Sequence, residues 1–279
     1  MTRAERSQAG RMVAKLKWAV ADGFTVAQRN LTHVRYVPEK LLDVTVQPLM
    51  FVLLFAYIFG GAIAIPGGGD YKEFLMAGIF AQTMAFTFIG AATSMAEDLH
   101  TGVVDRFRAL PMARSAVLSG RVLADFASAL IGLVVLVGSG LIVGWGIHTD
   151  VWHAAAGFGV LMLFTLAMLW FGTLVGMLVR APDAAQGLGL VVLFPLTFLA
   201  NSYVPTQGMD KFVRTLADYN PLSSVVAALR DLFGNPSAVG ADTPWPLHHP
   251  AVSAIAWSLA ILAVTVPLAI RRYQRATAG

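Results

Sequence analysis

Few residues in this sequence stand where chemistry could be done. A loop that cradles nucleotide phosphates needs G-x-x-x-x-G-K-[ST], because its lysine must reach the terminal phosphates. None of the five lysines follows a glycine. The H-E-x-x-H and G-x-S-x-G patterns of zinc hydrolysis and acyl transfer are missing as well. His33, His100, His148, His153, His248 and His249 all fall in loops or at the edges of apolar runs. The adjacent His248 and His249 would hold a metal only with further ligands, and the sequence suggests none. Gly67 to Asp70 matches the G-x-G-D of membrane aspartyl proteases. It follows Pro66 and has no second acid inside an apolar run with which to share a proton, so it reads as a glycine turn. With no cysteine, thiolate nucleophiles, thiolate metal sites and disulfides are excluded. No catalytic or metal-binding residue is assigned, and the chain is not read as an enzyme.

The elements that would carry any function are apolar and long. Of 279 residues 57% are hydrophobic and 13% charged, with mean hydropathy +0.67, where a soluble domain carries about 25% charged residues. Six stretches reach the roughly 20 residues that cross a bilayer as helix. They are 44–65, 74–96, 126–146, 152–179, 184–204 and 251–270, and none holds Lys, Arg, Asp or Glu. Each such residue at a helix centre would cost about 2.5–3.5 kcal/mol on insertion, so the blankness is informative. The expected fold is an all-α polytopic membrane protein with a segment 1–43, a six-helix domain 44–270 and a tail 271–279.

Basic residues outside the runs give the orientation. Sixteen lie in 1–43, in the second-to-third loop, at Arg180 and in the tail, against Lys72, Lys211, Arg214 and Arg230 on the other side. The positive-inside rule then puts both termini in the cytoplasm. The formal net charge of +4 is topological on this reading, and nothing points to nucleic acid. Pro48 and Pro195 bend their helices. Gly140 with Gly144 and Gly172 with Gly176 have the G-x-x-x-G spacing of close backbone packing, either inside one bundle or between subunits.

Three polar segments carry the functional signal. Val13, Leu16, Val20, Phe24, Ala27, Leu31 and Val34 recur at helical spacing beside a charged face, which predicts an amphipathic helix at the membrane surface, with a soluble partner as the alternative. Glu97 to Arg121 places Val103, Val104, Phe107 and Leu110 on one stripe flanked by Asp105, Arg106 and Arg108 and ended by Pro111. Such a helix could dock into a groove; a solvated topological loop is the alternative. In 205–250, Asn220 can cap a helix with Pro221 at its first position and Gly234 as its stop. About thirteen residues are too few to cross, so the segment reads as re-entrant or interfacial, with Leu222, Val225, Val226, Leu229 and Phe233 buried and a smaller helix over Asp210 to Ala217.

The run VPEKLLDVTVQPLMFVLLFAYIFGGAI, the loop TGVVDRFRALPMARSAVLSGRVLAD, the segment VRAPDAAQ, and SYVP followed by YNPLSSVVAALRDLFG resemble the type-2 ABC exporter permeases of the daunorubicin-resistance kind. The likeness runs in order from about Val37 to Phe233. It implies an N-terminal elbow helix, a coupling helix between the second and third spans, and re-entrant helices before the sixth. It also implies a permease homodimer on a separate pair of ATPase subunits that bind ATP and Mg, in a bacterial plasma membrane. On that resemblance Gly102, Asp105, Arg106, Phe107, Arg108, Leu110 and Pro111 form the coupling region, with Glu97 and Asp98 at its entrance. ATPase closure would push on Arg106 to Leu110 and rock the helical bundles. Many relatives carry E-R-E-x-G-T-x-E, whereas His100 to Asp105 here reads HTGVVD, so one charge contact of theirs is missing.

An ion-coupled secondary transporter is the rival class, but such machines place ionisable residues inside the membrane. The apolar runs offer only Gln47, Gln82, Thr83, Thr87 and Asn201, with Phe86 beside them, as a path for a hydrophobic or amphiphilic cargo. The same residues could simply bond helix to helix. A drug, antibiotic or lipid is the expected substrate, and a polysaccharide or glycolipid the alternative.

Overall fold

The computed structural model describes residues 50, 54, 65, 68–101, 114–179, 181–237 and 243–276. The expected elbow segment 1–43 and almost all of the first span, with Gln47 and Pro48, lie outside the described residues. Five long helices carry the described fold: α1 (Tyr71–His100), α2 (Arg114–Val143), α3 (Val151–Gly176), α4 (Pro182–Phe198) and α8 (Pro250–Ala276). Between α4 and α8 come a 3-10 turn (Thr206–Gly208), α5 (Lys211–Asp218), α6 (Pro221–Phe233) and α7 (Trp245–His248).

Among the described residues, four helices are long and apolar enough to cross a bilayer: α1, Leu118–Val143 of α2, α3, and Pro250–Gln274 of α8. The expected fifth span, 184–204, is shorter than predicted. Its helix ends at Phe198 after 17 residues, about 26 Å at helical rise against roughly 30 Å of hydrocarbon. Hydropathy carried the prediction on through Ala200 to Val204, where the chain instead turns at Asn201 and Ser202. The third span also differs, because its helix begins at Arg114 rather than Phe126. No breaker stronger than Gly120 stands between them, so the charged residues there join the helix. In the same way α8 continues through Arg271 and Arg272 to Ala276, where a separate tail from 271 was expected.

The helices divide by burial. In the most apolar window of α1, 72% of residues are buried, and in α3 61%; the figures for α2 and α8 are 17% and 28%. A helix bounded by lipid keeps apolar side chains outward, and α2 does so with Leu123, Leu130, Val134, Leu141 and Ile142. The central pair meets backbone to backbone. A Cβ on Gly172 would lie 2.2 Å from the Phe88 carbonyl oxygen, and one on Gly176 2.3 Å from that of Ala92. The Gly172–Gly176 spacing is therefore a seam inside the bundle. Gly140–Gly144 is not a seam: Gly144 has φ +102 and open space around its Cβ direction, and it ends α2 as a turn residue.

The apolar core has two parts. The larger runs from the Tyr71 end to mid-bundle around Phe74, Phe80, Phe88, Phe164 and Phe233. The smaller closes the His100 end with Met95, Leu118, Val122, Leu169, Trp170 and Tyr273.

At the Tyr71 end the local signals are obeyed closely. Asp70 caps α1 by accepting from the Lys72 N–H at 2.9 Å, and Gly68 and Gly69 have positive φ, so the G-x-G-D match is a turn and a cap. Asp210 caps α5. Asn220 accepts from the Leu222 N–H at 2.8 Å, Pro221 is the first residue of α6, and Gly234 ends it at φ +71. The expected apolar face of α6 is buried, and so are Ser223, Ser224, Ala227, Ala228 and Arg230. Thus α6 is enclosed on nearly every side, packed among α1, α3 and α8.

Candidate functional site

The most buried of the four span-length helices, α1, carries a polar stripe. Gln82, Thr83, Phe86 and Thr87 are half-buried on α1, and the three-to-four spacing continues through exposed Gly90 and half-buried Thr93 and Ser94 to exposed Glu97. Two of its hydroxyls are turned back onto the helix. Thr87 donates to the Met84 carbonyl at 2.7 Å, and Thr93 reaches the carbonyls of Ile89 at 2.9 Å and Gly90 at 3.1 Å. Such a threonine presents its methyl group and spare lone pairs, so the stripe is amphiphilic rather than strongly polar. Gln82, Thr83 and Ser94 make no side-chain hydrogen bond among the described residues.

Asn201 is not on this stripe. It lies beyond the end of α4, where its N–H donates to Ser223 Oγ at 3.1 Å and its carbonyl accepts from Arg230 Nη2 at 3.0 Å. Arg230 also binds the carbonyl of Phe74, in the first turn of α1, about 12 Å of helix rise above Gln82. Of the six predicted path residues, the structure therefore sets Gln82, Thr83, Phe86 and Thr87 together on α1 and Asn201 apart from them beyond α4, while Gln47 lies outside the described residues.

Arg230, counted in the sequence as one of four charges on the outer side, is buried, which a charge count does not foresee. Its side chain is 2% exposed. Nε donates to the Phe74 carbonyl at 3.0 Å, and Nη2 to those of Asn201 and Ser202 at 3.0 and 3.2 Å. The guanidinium carbon stands 3.3 Å from the centre of the Phe74 ring. Burial draws the group down to about 9, so it remains cationic at neutral pH. One side chain thereby ties α6 to the first turn of α1 and to the turn after α4. Gly78 permits the approach, since a Cβ there would be 2.3 Å from the Ser202 oxygen. The available signal was an arginine inside a short helix whose other positions, Asp231 aside, are apolar or small.

At the other end, Asp98 in the last turn of α1 pairs with Arg121 of α2, and Arg121 Nε stands 3.9 Å from Asp125 Oδ2. Glu97 is exposed beside them, and its carbonyl accepts from both the backbone N–H and the hydroxyl of Thr101. Gly102, Asp105, Arg106, Phe107, Arg108, Leu110 and Pro111 lie outside the described residues. The two ends of their segment are nonetheless fixed, because the last turn of α1 and the first turns of α2 lead into it.

The sequence pattern of the family described as ABC-2 type transporter matches residues 23–233, about three quarters of the chain. This chain belongs to the ABC-2 type transporter family. It is similar to the daunorubicin resistance ABC transporter permease protein DrrB1 of Streptomyces coeruleorubidus, 29% identical over 93% of this chain and 88% of that one. It is also similar to the doxorubicin resistance ABC transporter permease protein DrrB of Mycobacterium tuberculosis, 26% identical over 88% of each chain. A probable doxorubicin resistance permease protein of the same organism, DrrC, is 22% identical over 91% of this chain and 89% of its own length. The likeness to permeases of the daunorubicin-resistance kind is thus shown over nearly the full chain. In this ABC-2 protein the family match ends at Phe233, the last residue of α6, so Arg230 and the polar stripe of α1 both lie inside it.

Proposed function

We propose that this ABC-2 permease moves a hydrophobic or amphiphilic compound out of the cell, driven by ATP that a separate partner subunit binds with Mg and hydrolyses. The observation that carries the reading is near-full-length likeness to proteins named for resistance to daunorubicin and doxorubicin. The stripe on α1 suits such cargo: Phe86 and the threonine methyls offer apolar contact, while Gln82, Thr83 and Ser94 offer hydrogen bonds. Substrate passes along this face of α1. The segment 102–111, entered past Glu97 and Asp98, receives the push of the ATPase through Arg106, Phe107 and Leu110. Two copies of the chain face each other across the path, with both termini in the cytoplasm and surrounding lipid on the apolar flanks of α2 and α8.

The test is to purify the chain with its partner ATPase in lipid and measure turnover against anthracyclines, other amphiphiles and glycolipids. Anthracycline-stimulated hydrolysis is expected, with loss of partner binding in Phe107→Asp. Nucleotide hydrolysis by this subunit alone, or transport that follows a proton gradient and ignores ATP depletion, would overturn the proposal. Stimulation only by glycolipid would replace the substrate class and leave the rest.

A further inference from the structure

Arg121 sits between two carboxylates on different helices, in close contact with one and at the outer limit of ion-pair distance from the other. Asp98, in the last turn of α1, takes the guanidinium across the helix gap. Asp125, four residues along α2 from Arg121, has Oδ2 3.9 Å from Nε, too far for a hydrogen bond. Both atoms, Arg121 Nε and Asp125 Oδ2, are enclosed and have no hydrogen-bond partner. The group therefore has a second acceptor at hand, one small side-chain movement away.

The packing around it decides which helix would move. Through the glycine seam α1 is locked to α3, at Phe88 and Ala92, and a close-packed backbone contact has little freedom to slide. By contrast only 17% of the apolar window of α2 is buried, and near its start it holds the bundle through Leu118 and Val122 on the smaller core. An ion pair is a suitable remaining link. It is directional when made, yet the cation can transfer to another carboxylate without being left unpaired.

We propose that Arg121 is an exchange residue: bridged to Asp98 it holds α2 against α1, and handed over to Asp125 it lets the root of α2 leave. This rests on the proposed function, in that the segment between the two helices is taken to receive the ATPase stroke. Arg121 touches neither substrate nor nucleotide and is a positioning residue. The arrangement is a bistable element of the kind that turns a small push into a discrete rearrangement.

The experiment uses the complex of this chain with its partner ATPase in lipid vesicles, reading substrate moved per ATP hydrolysed. Asp125→Asn keeps the bridge and removes the second acceptor. Its transport ratio should fall about tenfold, within the span of ordinary inter-site coupling, and Asp125→Glu should restore most of it. The chain has no cysteine, so Met95→Cys with Val122→Cys, in one apolar cluster that joins α1 to α2, gives a specific tether. A short thiol cross-linker should stop transport, and a cleavable one should release it on reduction. Wild-type transport by Asp125→Asn, or undiminished transport by the tethered protein, overturns the exchange. Failure of the wild-type chain to bind any ATPase would instead overturn the proposed function, a separate outcome.

Discussion

Two arginines grip α1, one at each end, and they are held in opposite ways. Arg230 meets the first turn through carbonyl oxygens and the face of an aromatic ring, fully out of solvent. Arg121 meets the last turn through a carboxylate, with its side chain a quarter exposed and a second carboxylate nearby. Backbone carbonyls cannot leave without unmaking the turns they belong to, so the cage at Arg230 fixes three segments at once. Carboxylates on mobile side chains can be traded. The same residue type thus builds a permanent joint at one end of the helix and a releasable one at the other.

The sharpest way to break this comparison is Arg230→Met. The Asn201 and Ser202 carbonyls would lose their donor and the helical Phe74 carbonyl its second one. At the low end of about 1 kcal/mol for each group left unsatisfied the cost is about 2 kcal/mol. That is a large share of the stability of most domains. We expect poor accumulation in membranes and a clear loss of thermal stability in detergent. Arg230→Lys should recover only part, because an ammonium does not reproduce the planar fork that spans Phe74, Asn201 and Ser202.

The next largest effect separates the seam from the charges. Gly172→Ala forces a methyl group into the Phe88 carbonyl oxygen, and overpacking of this kind costs about 1–3 kcal/mol. Gly159→Ala, in the same helix, meets nothing within 4 Å and should be neutral or stabilising by up to about 1 kcal/mol. Melting curves of the two variants, run together, test whether α1 is held to α3 by backbone contact. Equal melting temperatures would show that it is not. A smaller effect belongs to the cap that orients Arg230. Asn220→Ala removes the N-cap of α6 and the bond from Nδ2 to the Leu196 carbonyl, for about 1 kcal/mol.

How far the sequence discloses these two ends follows from the range of the forces involved. The ends of α6 were legible because caps act within one turn: Asn220, Pro221 and Gly234 are local signals. Asp70 was local too, although the turn around it attracted notice for a different chemistry. Arg230 was not legible, since its partners are 28 to 156 residues away and a charge count treats every arginine as solvated. Arg121 was read as one of several topological charges, because the helix was expected to begin only at Phe126, beyond the reach of its pairing with Asp98. The stripe on α1 was half legible. Period and polarity gave Gln82 to Thr87, and the continuation through Gly90 to Ser94 lacked the polar contrast that single-residue reading looks for. Asn201 was grouped with that stripe by residue type alone, and three-dimensional placement separated them.

The smallest expected effect is the most diagnostic for the releasable joint. Arg121→Ala removes an ion pair between side chains that are a quarter to a third exposed, and such pairs contribute about 0–1 kcal/mol after solvent screening. Folding should therefore be almost unchanged, with the melting temperature within a few degrees of the wild type. Raising ionic strength should shrink even that difference, as screening weakens the pair in the wild type alone. A joint meant to stay, like that at Arg230, would lose several times more and would be indifferent to salt. If Arg121→Ala unfolded as readily as Arg230→Met, α2 would be held at its root by this contact as firmly as α6 is by its cage. The exchange between Asp98 and Asp125 would then have no low-cost path, and the contrast between the two ends of α1 would disappear.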